Sequence, residues 1–383
     1  MKKIYDTNIL IDYPEIIIND DEVVLTYSIL EELENLKRKD RLKYKARKAI
    51  RHIIDRRDEI EIIDDSNIPL DHTDDLLLEV CLEKGYKLLT MDGLLYLRGS
   101  EILAECEYYQ PITDIYTGKT EYKLSEKLTS KAYDEGYIKS SEIDINLYEN
   151  QFLDCDNVIL QKKGENLFRV EWEEGRSFIS KDFKLNREQL MAHELLMDTT
   201  VPLVAISGKY GTGKTSLTVK TAIKMFNKDM YDNILITKPK VETGHRNEHL
   251  GTLPGEVNEK YAPYLKPFED NASHTQFQML EVQPLSTIKG RDIKDTIFII
   301  DEFQDLSPDR VPMIIERLGK GSKLVLLGDP RQVDNPTLHK YWNGLTFSMN
   351  NLKGNKNFGC VELVDNERSE VAMLGEELRK CLI

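Results

Sequence analysis

The sequence predicts an α/β protein with two parallel-sheet domains, at residues 1–118 and 184–383, separated by a linker at 119–183 that carries a small β element. Three observations predict it. Over residues 1–118 short apolar runs alternate with helix-periodic stretches, as strands and helices do in an α/β domain. From Pro202 to Phe226 an apolar run, a glycine-rich loop and a helical pattern follow one another. Downstream, Asn233–Thr237, Thr296–Ile300 and Lys323–Leu327 are near-continuous apolar runs of the kind buried on both faces of a parallel sheet.

Taken in order, the strand candidates of the first domain are Lys3–Tyr5, Glu22–Leu25, Glu61–Ile63 and Tyr86–Thr90. Between the second and third, Leu42, Ala46, Ala49, Ile50 and Ile53 recur at i, i+4, i+7, i+8 and i+11, one face of a helix. Residues 119–150 are polar and weakly periodic. Asn157–Leu160 and Leu167–Trp172 then flank Lys163-Gly164-Glu165-Asn166 as strands flank a turn. From residue 184 strand and helix patterns alternate again.

A chain of 383 residues exceeds what one core usually serves, so two domains are expected, with room for a small third. Hydrophobic residues at 40 % and charged residues at 31 % support folded cores rather than disorder. The net charge of −15 excludes a uniformly basic surface but not a local basic face. Cys81, Cys106, Cys155, Cys360 and Cys381 are odd in number and never spaced C-x-x-C, which argues against a zinc ribbon or a disulfide framework and for a reducing, cytoplasmic setting. Asp6 and Asp12 interrupt any signal-peptide core, and no run is long enough to span a membrane.

Gly208-Lys209-Tyr210-Gly211-Thr212-Gly213-Lys214-Thr215 fits the P-loop pattern at every fixed position. Lying between strand and helix, it would turn backbone N–H groups and a helix N-terminus toward phosphates. Lys214 is expected to contact the β and γ phosphates of ATP and Thr215 to ligate Mg²⁺. The apolar strand Thr296–Ile300 ends in Asp301-Glu302, a Walker B pattern in which Asp301 would hold the same ion and Glu302 would polarise the attacking water. Gln332, in Gly328-Asp329-Pro330-Arg331-Gln332, falls at the carboxyl edge of a later strand, where it is placed to sense the γ-phosphate or the water. Arg368 is a candidate arginine finger, acting in cis or across a subunit interface.

The order Leu185-Asn186-x-x-Gln189, P-loop, Thr237-Lys238-Pro239, Leu253-Pro254-Gly255, Lys289-Gly290-Arg291, Asp301-Glu302-x-Gln304 and Gly328-Asp329-x-x-Gln332 resembles the PhoH family of ATPases, which are related to superfamily 1 helicases. Leu253-Pro254-Gly255 followed by Lys260-Tyr261-Ala262-Pro263-Tyr264-Leu265 makes the resemblance specific. It covers residues 184–383 and implies a RecA-like P-loop domain. It also gives Gln189 the place where some helicases carry an adenine-reading glutamine. Lys238 stands where the family usually has arginine, and Asp292 where it has threonine.

In the first domain Asp6 and Asp92 follow strands, while Glu31 or Glu32 and Asp74 or Asp75 lie at helical stretches that could aim carboxylates at the same edge. Converging acids without a basic partner repel one another unless a divalent cation sits among them, and hard ions such as Mg²⁺ or Mn²⁺ take such oxygens. Such a site suits phosphodiester hydrolysis. Asp6-Thr7-Asn8-Ile9-Leu10, Leu30-Glu31-Glu32-Leu33, Asp75-x-x-Leu78 and Leu89-Thr90-Met91-Asp92 resemble in order a PIN-domain ribonuclease over residues 1–116. The family spacings favour Glu32 and Asp75 within each pair, so the implied ligands are Asp6, Glu32, Asp75 and Asp92. Thr7 and Asn8 are expected to orient Asp6. The basic run of Lys37, Arg38, Lys39, Arg41, Lys43, Lys45, Arg47, Lys48 and Arg51 is a candidate phosphate track.

PIN followed by PhoH is itself a family arrangement. By resemblance its members are ATP-dependent RNA helicases and ribonucleases that assemble as homo-oligomeric rings, here expected as hexamers. The implied partner is RNA, single-stranded or as a tailed duplex. Two other readings keep the ATP site: an ATP-switched RNA-binding or toxin-regulating module with a silent nuclease, and a DNA helicase-like ATPase.

Overall fold

The computed structural model describes residues 1–38, 42–70, 72–109, 114–171, 184–239, 279–288, 291–335 and 338–365. The chain divides into two compact units, Met1–Thr113 and Asp114–Ile383. Among the described residues no helix is long and apolar enough to cross a membrane.

The first unit runs β1 (Lys3–Tyr5), α1 (Thr7–Asp12), α2 (Ile16–Asn19), β2 (Val23–Thr26), α3 (Tyr27–Leu36), α4 (Lys43–Asp55), β3 (Glu61–Ile63), α5 (Thr73–Lys84), β4 (Lys87–Thr90), α6 (Gly93–Ile102) and β5 (Cys106–Tyr108). Its strands form one all-parallel sheet ordered β3-β2-β1-β4-β5. The chain winds one way from β1 to β3 and the other way through β4 and β5. The order therefore reverses between β1 and β4, and their carboxyl ends flank a topological switch point, the crevice where open α/β sheets bind ligands. Residues 46, 49 and 53 of the α4 stripe are buried in one core with β1, β2 and β4.

The second unit begins with β6 (Lys119–Glu121), α7 (Glu126–Glu135), β7 (Tyr137–Lys139), β8 (Phe152–Cys155), β9 (Val158–Lys163) and β10 (Asn166–Arg169). These strands make a five-stranded sheet ordered β6-β8-β9-β10-β7. The polar stretch 119–150, which reads as linker, thus holds β6, α7 and β7. Its apolar signal is thin because α7 buries little more than Ala132 against the sheet, so composition hides a folded element.

The remainder runs α8 (Arg187–Met197), β11 (Leu203–Gly208), α9 (Lys214–Phe226), β12 (Asn233–Thr237), β13 (Leu280–Val282), β14 (Thr296–Ile300), α10 (Val311–Ile315), β15 (Lys323–Gly328), α11 (Gly344–Leu352) and β16 (Phe358–Leu363). The six strands pair in parallel in the order β13-β12-β14-β15-β11-β16. Every residue of β14 and β15 is buried, as the continuous apolar runs require of strands covered on both faces. One face carries α8 and α9, the other α10 and α11. Within β15 Lys323 is fully buried, and its ammonium donates to the carbonyls of Leu195, Asp198 and Val201 at 3.0, 2.7 and 2.6 Å. Three donors meet three acceptors, which ties the end of α8 to the sheet.

The small sheet packs on the large one: Phe152, Ile159 and Val170 share the core of α8 and β11. Thr117 O accepts from Glu362 N at 3.0 Å, and Gly118 O from Phe152 N at 2.9 Å. Gly118 has φ +75°, and a Cβ there would lie 1.7 Å from Cys360 O. Gly118→Ala is therefore expected to destabilise the second unit by about 2–4 kcal/mol, through overlap and a left-handed backbone together. Chemical denaturation checks this; an unchanged midpoint would mean that the two sheets do not meet at this strand.

Candidate active sites

Asp6 leaves β1 as the residue before α1 and is 4 % exposed. Its Oδ2 accepts from Thr90 Oγ1 at 2.9 Å, and Thr90 Oγ1 in turn accepts from Asp92 N at 2.9 Å. One hydroxyl thus joins the two acids on either side of the switch point. Asp92 caps α6, its Oδ1 accepting from Leu94 N and Leu95 N at 2.7 and 3.0 Å. Thr7 Oγ1 donates to Glu32 Oε2 at 2.8 Å, which holds Glu32 of α3 beside α1; Glu31 is exposed. Burial raises the Asp6 pKa above the usual carboxylate range, and the charges of Asp74 and Glu32 add to the rise.

The helix phase of α5 gives the two neighbouring acids different settings. Asp74 is the residue coupled to the cluster: burial and then the charge of Asp92 raise its pKa. Asp75 instead pairs with Arg98, and that hydrogen bond lowers its pKa. Successive residues of a helix point about 100° apart, so only one of two neighbours can face the β1–β4 edge. Of the two neighbours, Asp74 is the one whose charge couples to Asp6 and Asp92. Thr7 serves Glu32 rather than Asp6, and Asn8 reaches Asp6 only through its backbone N–H.

An all-carboxylate oxygen donor set, in which burial raises the pKa values of Asp6 and Asp74, fits a hard divalent cation. As the side chains stand, no group of three His, Cys, Asp or Glu among the described residues is gathered closely enough to hold one. The basic run is partly consumed by the unit's own acids: Lys37 pairs with Glu34, Lys45 with Asp12 and Lys48 with Glu15. Lys43, Arg47 and Arg51 remain exposed at i, i+4 and i+8 of α4. Lys39 and Arg41 lie outside the described residues.

In the second unit β11 ends at Gly208 and α9 begins at Lys214, so residues 209–213 form the loop. Gly213 caps α9 with φ +81°, and a Cβ there would come within 3.0 Å of Gln189 Nε2. Gln189 is fully buried, donating to Thr212 O at 3.1 Å and accepting from Asn186 N at 3.2 Å. In this state it braces the P-loop from behind, with its amide engaged at both ends. Lys214 Nζ donates to Gly208 O and Lys209 O at 2.6 and 2.9 Å. Burial lowers its pKa, and the acids Asp301, Asp329 and Glu302 pull the other way. The lysine is folded onto its own loop, where a phosphate oxygen would compete for it.

The sheet order puts β15 between the P-loop strand β11 and the Walker B strand β14, so the P-loop, Asp301 and the loop after β15 share one carboxyl edge. Thr215 Oγ1 lies 3.3 Å from Asp301 Oδ2. Burial, and then the charge of Glu302, raise the Asp301 pKa, the condition a bound Mg²⁺ would relieve. Glu302 has φ +53°, a left-handed conformation uncommon for a residue with a side chain. Its carboxylate accepts from Gln304 Nε2 at 2.8 Å and lies 3.4 Å from Lys238 Nζ. Gln332 Nε2 donates to Asp329 Oδ2 at 2.9 Å. Arg291 donates to Glu281 and Gln283 at 3.1 and 2.8 Å. Lys209, Tyr210, Gly211 and Thr212 complete the loop. Arg368, Leu253-Pro254-Gly255, Lys260–Leu265, Lys289 and Gly290 lie outside the described residues.

Three residues that organise these sites were assigned no role from the sequence, or, for Asp74, stood second to a neighbour. Gln304, 1 % exposed, donates to Glu302 and to Gln332 O at 3.0 Å and accepts from Asp329 N at 3.2 Å, so it welds the Walker B acid to the loop after β15. Its place three residues after Asp301 was the only signal. Thr90 and Asp74 are the others.

Comparison with known proteins bears on both units. Residues 184–374 match the PhoH-like protein family and residues 3–90 match the PIN domain. The chain is 30 % identical to protein PhoH2 of Bacillus subtilis (strain 168), over 99 % of this chain and 100 % of that one. It is 26 % identical to protein PhoH2 of Thermobispora bispora, over 98 % and 95 %, and 27 % identical to that of Mycolicibacterium smegmatis, over 98 % and 96 %. The Pif1 helicase from Candida albicans aligns with 51 % of this chain and 44 % of its own at 16 % identity and a TM-score of 0.27, a likeness too slight to bear on function.

Proposed function

Since the chain belongs to the PhoH family, in the form that carries an N-terminal PIN domain, we propose that it hydrolyses ATP to move along RNA and delivers that RNA to a metal-dependent ribonuclease site in its first unit. The observation that carries this reading is the presence on one chain of a P-loop facing a Walker B acid, Thr215 against Asp301, and of a separate carboxylate cluster at a topological switch point.

In the second unit the loop amides and Lys214 take the triphosphate, and Lys214 exchanges its two loop carbonyls for phosphate oxygens. Glu302, fixed by Gln304 and Lys238, orients a water for in-line attack on the γ-phosphorus; the bond to the bridging oxygen breaks, leaving ADP and phosphate. Gln332, tied through its carbonyl to Gln304, reports the state of that phosphate. Arg368 is the candidate arginine finger, in cis or from a neighbouring subunit of a hexameric ring. Thr215 and Asp301 would hold Mg²⁺ on the nucleotide, and Asp6, Glu32, Asp74 and Asp92 would hold Mg²⁺ or Mn²⁺, which supplies charge neutralisation and an acidified water for phosphodiester hydrolysis. Thr90 fixes one oxygen of the Asp6 carboxylate, and Lys43, Arg47 and Arg51 offer cations to the phosphate backbone.

A second reading is an ATP-switched RNA-binding or toxin-regulating module with a silent nuclease. ATP turnover measured with and without a tailed RNA duplex, alongside decay of that RNA, separates the two. Coupling predicts that RNA raises turnover and ATP raises decay. Turnover without decay favours the module, and stimulation by DNA in place of RNA favours a DNA helicase-like ATPase.

A further inference from the structure

Arg331 has no part in the mechanism above, yet its surroundings are particular. It follows β15, whose carboxyl end lies between the Walker B strand β14 and the P-loop strand β11. Its Nη2 donates to Glu362 Oε1 at 2.6 Å, and Nη1 lies 3.7 Å from Asp329 Oδ1. Glu362 sits on β16, level with Ser207 of β11. Because β11 separates β15 from β16, the ion pair reaches across the strand that launches the P-loop. The side chain of Arg331 is 41 % exposed and that of Glu362 16 %, so the cation is the mobile member and the carboxylate the fixed one. Arg331 is also close enough to Lys214 for its charge to depress that lysine's pKa, behind the effect of burial.

A guanidinium is thus held by two carboxylates beside a lysine in a site shaped for a polyanion. A triphosphate would bring a third competitor, with more charge and more acceptor oxygens than either carboxylate, in the planar geometry a guanidinium binds best. We propose that Arg331 reads the terminal phosphate of the bound nucleotide in cis, leaving Glu362 when a triphosphate fills the P-loop and returning to it when a diphosphate remains. The exchange has a path to the catalytic acid: the carbonyl of Gln332, the next residue, is bonded to Gln304, which holds Glu302. This inference rests on the nucleotide reading of the P-loop.

The test is the affinity of the full chain, with Mg²⁺, for ADP and for a non-hydrolysable ATP analogue, in wild type and in the Arg331→Ala, Arg331→Lys, Glu362→Gln and Lys214→Ala variants. Arg331→Ala is expected to weaken the triphosphate by about 10–100-fold, the worth of a charge-assisted contact, and ADP by no more than about threefold. Arg331→Lys should restore part of the loss, and Glu362→Gln should tighten the triphosphate alone, because its latch is gone. Equal weakening of both nucleotides by Arg331→Ala, or of neither, overturns the inference. If Lys214→Ala loses both nucleotides while Arg331→Ala loses neither, the P-loop reading stands and this inference alone fails. If wild type binds neither nucleotide, both fall together.

Discussion

Replacing Lys214 with alanine is expected to lower ATP turnover by about 10²–10³-fold or more while cleavage of unstructured RNA continues at the wild-type rate. The lysine carries a charge at the start of α9, and it is already desolvated there. A desolvated ammonium held by two carbonyls loses little by turning to a phosphate, and it stabilises the charge that accumulates on the leaving β-phosphate oxygens. Alanine removes that charge and leaves Gly208 O and Lys209 O without their donor. The loop itself should persist, because Gln189 holds Thr212 O and Gly213 caps α9 independently of residue 214. Steady-state phosphate release checks the first half; cleavage of a labelled single strand checks the second. A variant that keeps its turnover would remove the nucleotide site from this loop.

Asp74→Asn is expected to remove RNA cleavage, by about 10²-fold or more, whereas Asp75→Asn should leave it within about twofold. The two residues are neighbours in sequence and differ in setting: burial and then the charge of Asp92 raise Asp74, whose charge in turn raises Asp6, whereas the hydrogen bond from Arg98 lowers Asp75. Asp6→Asn should be as inactive as Asp74→Asn. It should also be more stable than wild type by about 1 kcal/mol, because a buried carboxylate among like charges is a load on the fold that an isosteric amide relieves. The pH dependence follows from the same directions. Asp6 and Asp74 have folded-state pKa values above their unfolded ones, so the native state binds protons more tightly than the unfolded state. The contribution of Asp6 and Asp74 to stability should rise as pH falls through their folded-state pKa values toward the unfolded ones, while cleavage, which needs the ionised carboxylates, should fall. Metal bound to the cluster would push the acid limb of cleavage to lower pH. Loss of cleavage in Asp75→Asn with retention in Asp74→Asn would reverse the assignment.

Much of this was legible in residues that act through backbone and periodicity. The P-loop declares itself because glycines and a Lys-Thr pair are needed at fixed spacing, and β14 and β15 because strands buried on both faces must be apolar throughout. Asp6 and Asp92 were legible as strand-end acids. The choice between Asp74 and Asp75 was not, since it depends on how α5 is rotated against β1 and β4, and a packed helix hides that phase when its apolar face is broad. Gln304, Thr90 and Arg331 were hidden for a related reason: each joins a near neighbour to a partner far off in sequence, and a single polar side chain carries no periodic signature. The sheet at 119–169 was half hidden because α7 and β7 are polar enough to read as a connection.

Coupling of ATP turnover to RNA decay is read out in a single-turnover assay. An RNA duplex with a single-stranded tail, labelled within the duplex, is mixed with the full chain and divalent metal, with ATP, with a non-hydrolysable analogue, or with neither. Only ATP is expected to carry cleavage into the duplex; Lys214→Ala should cleave the tail and stop at the junction, and Asp6→Asn should separate the strands and leave them intact. Cleavage within the duplex at one rate under all three nucleotide conditions would contradict the coupling.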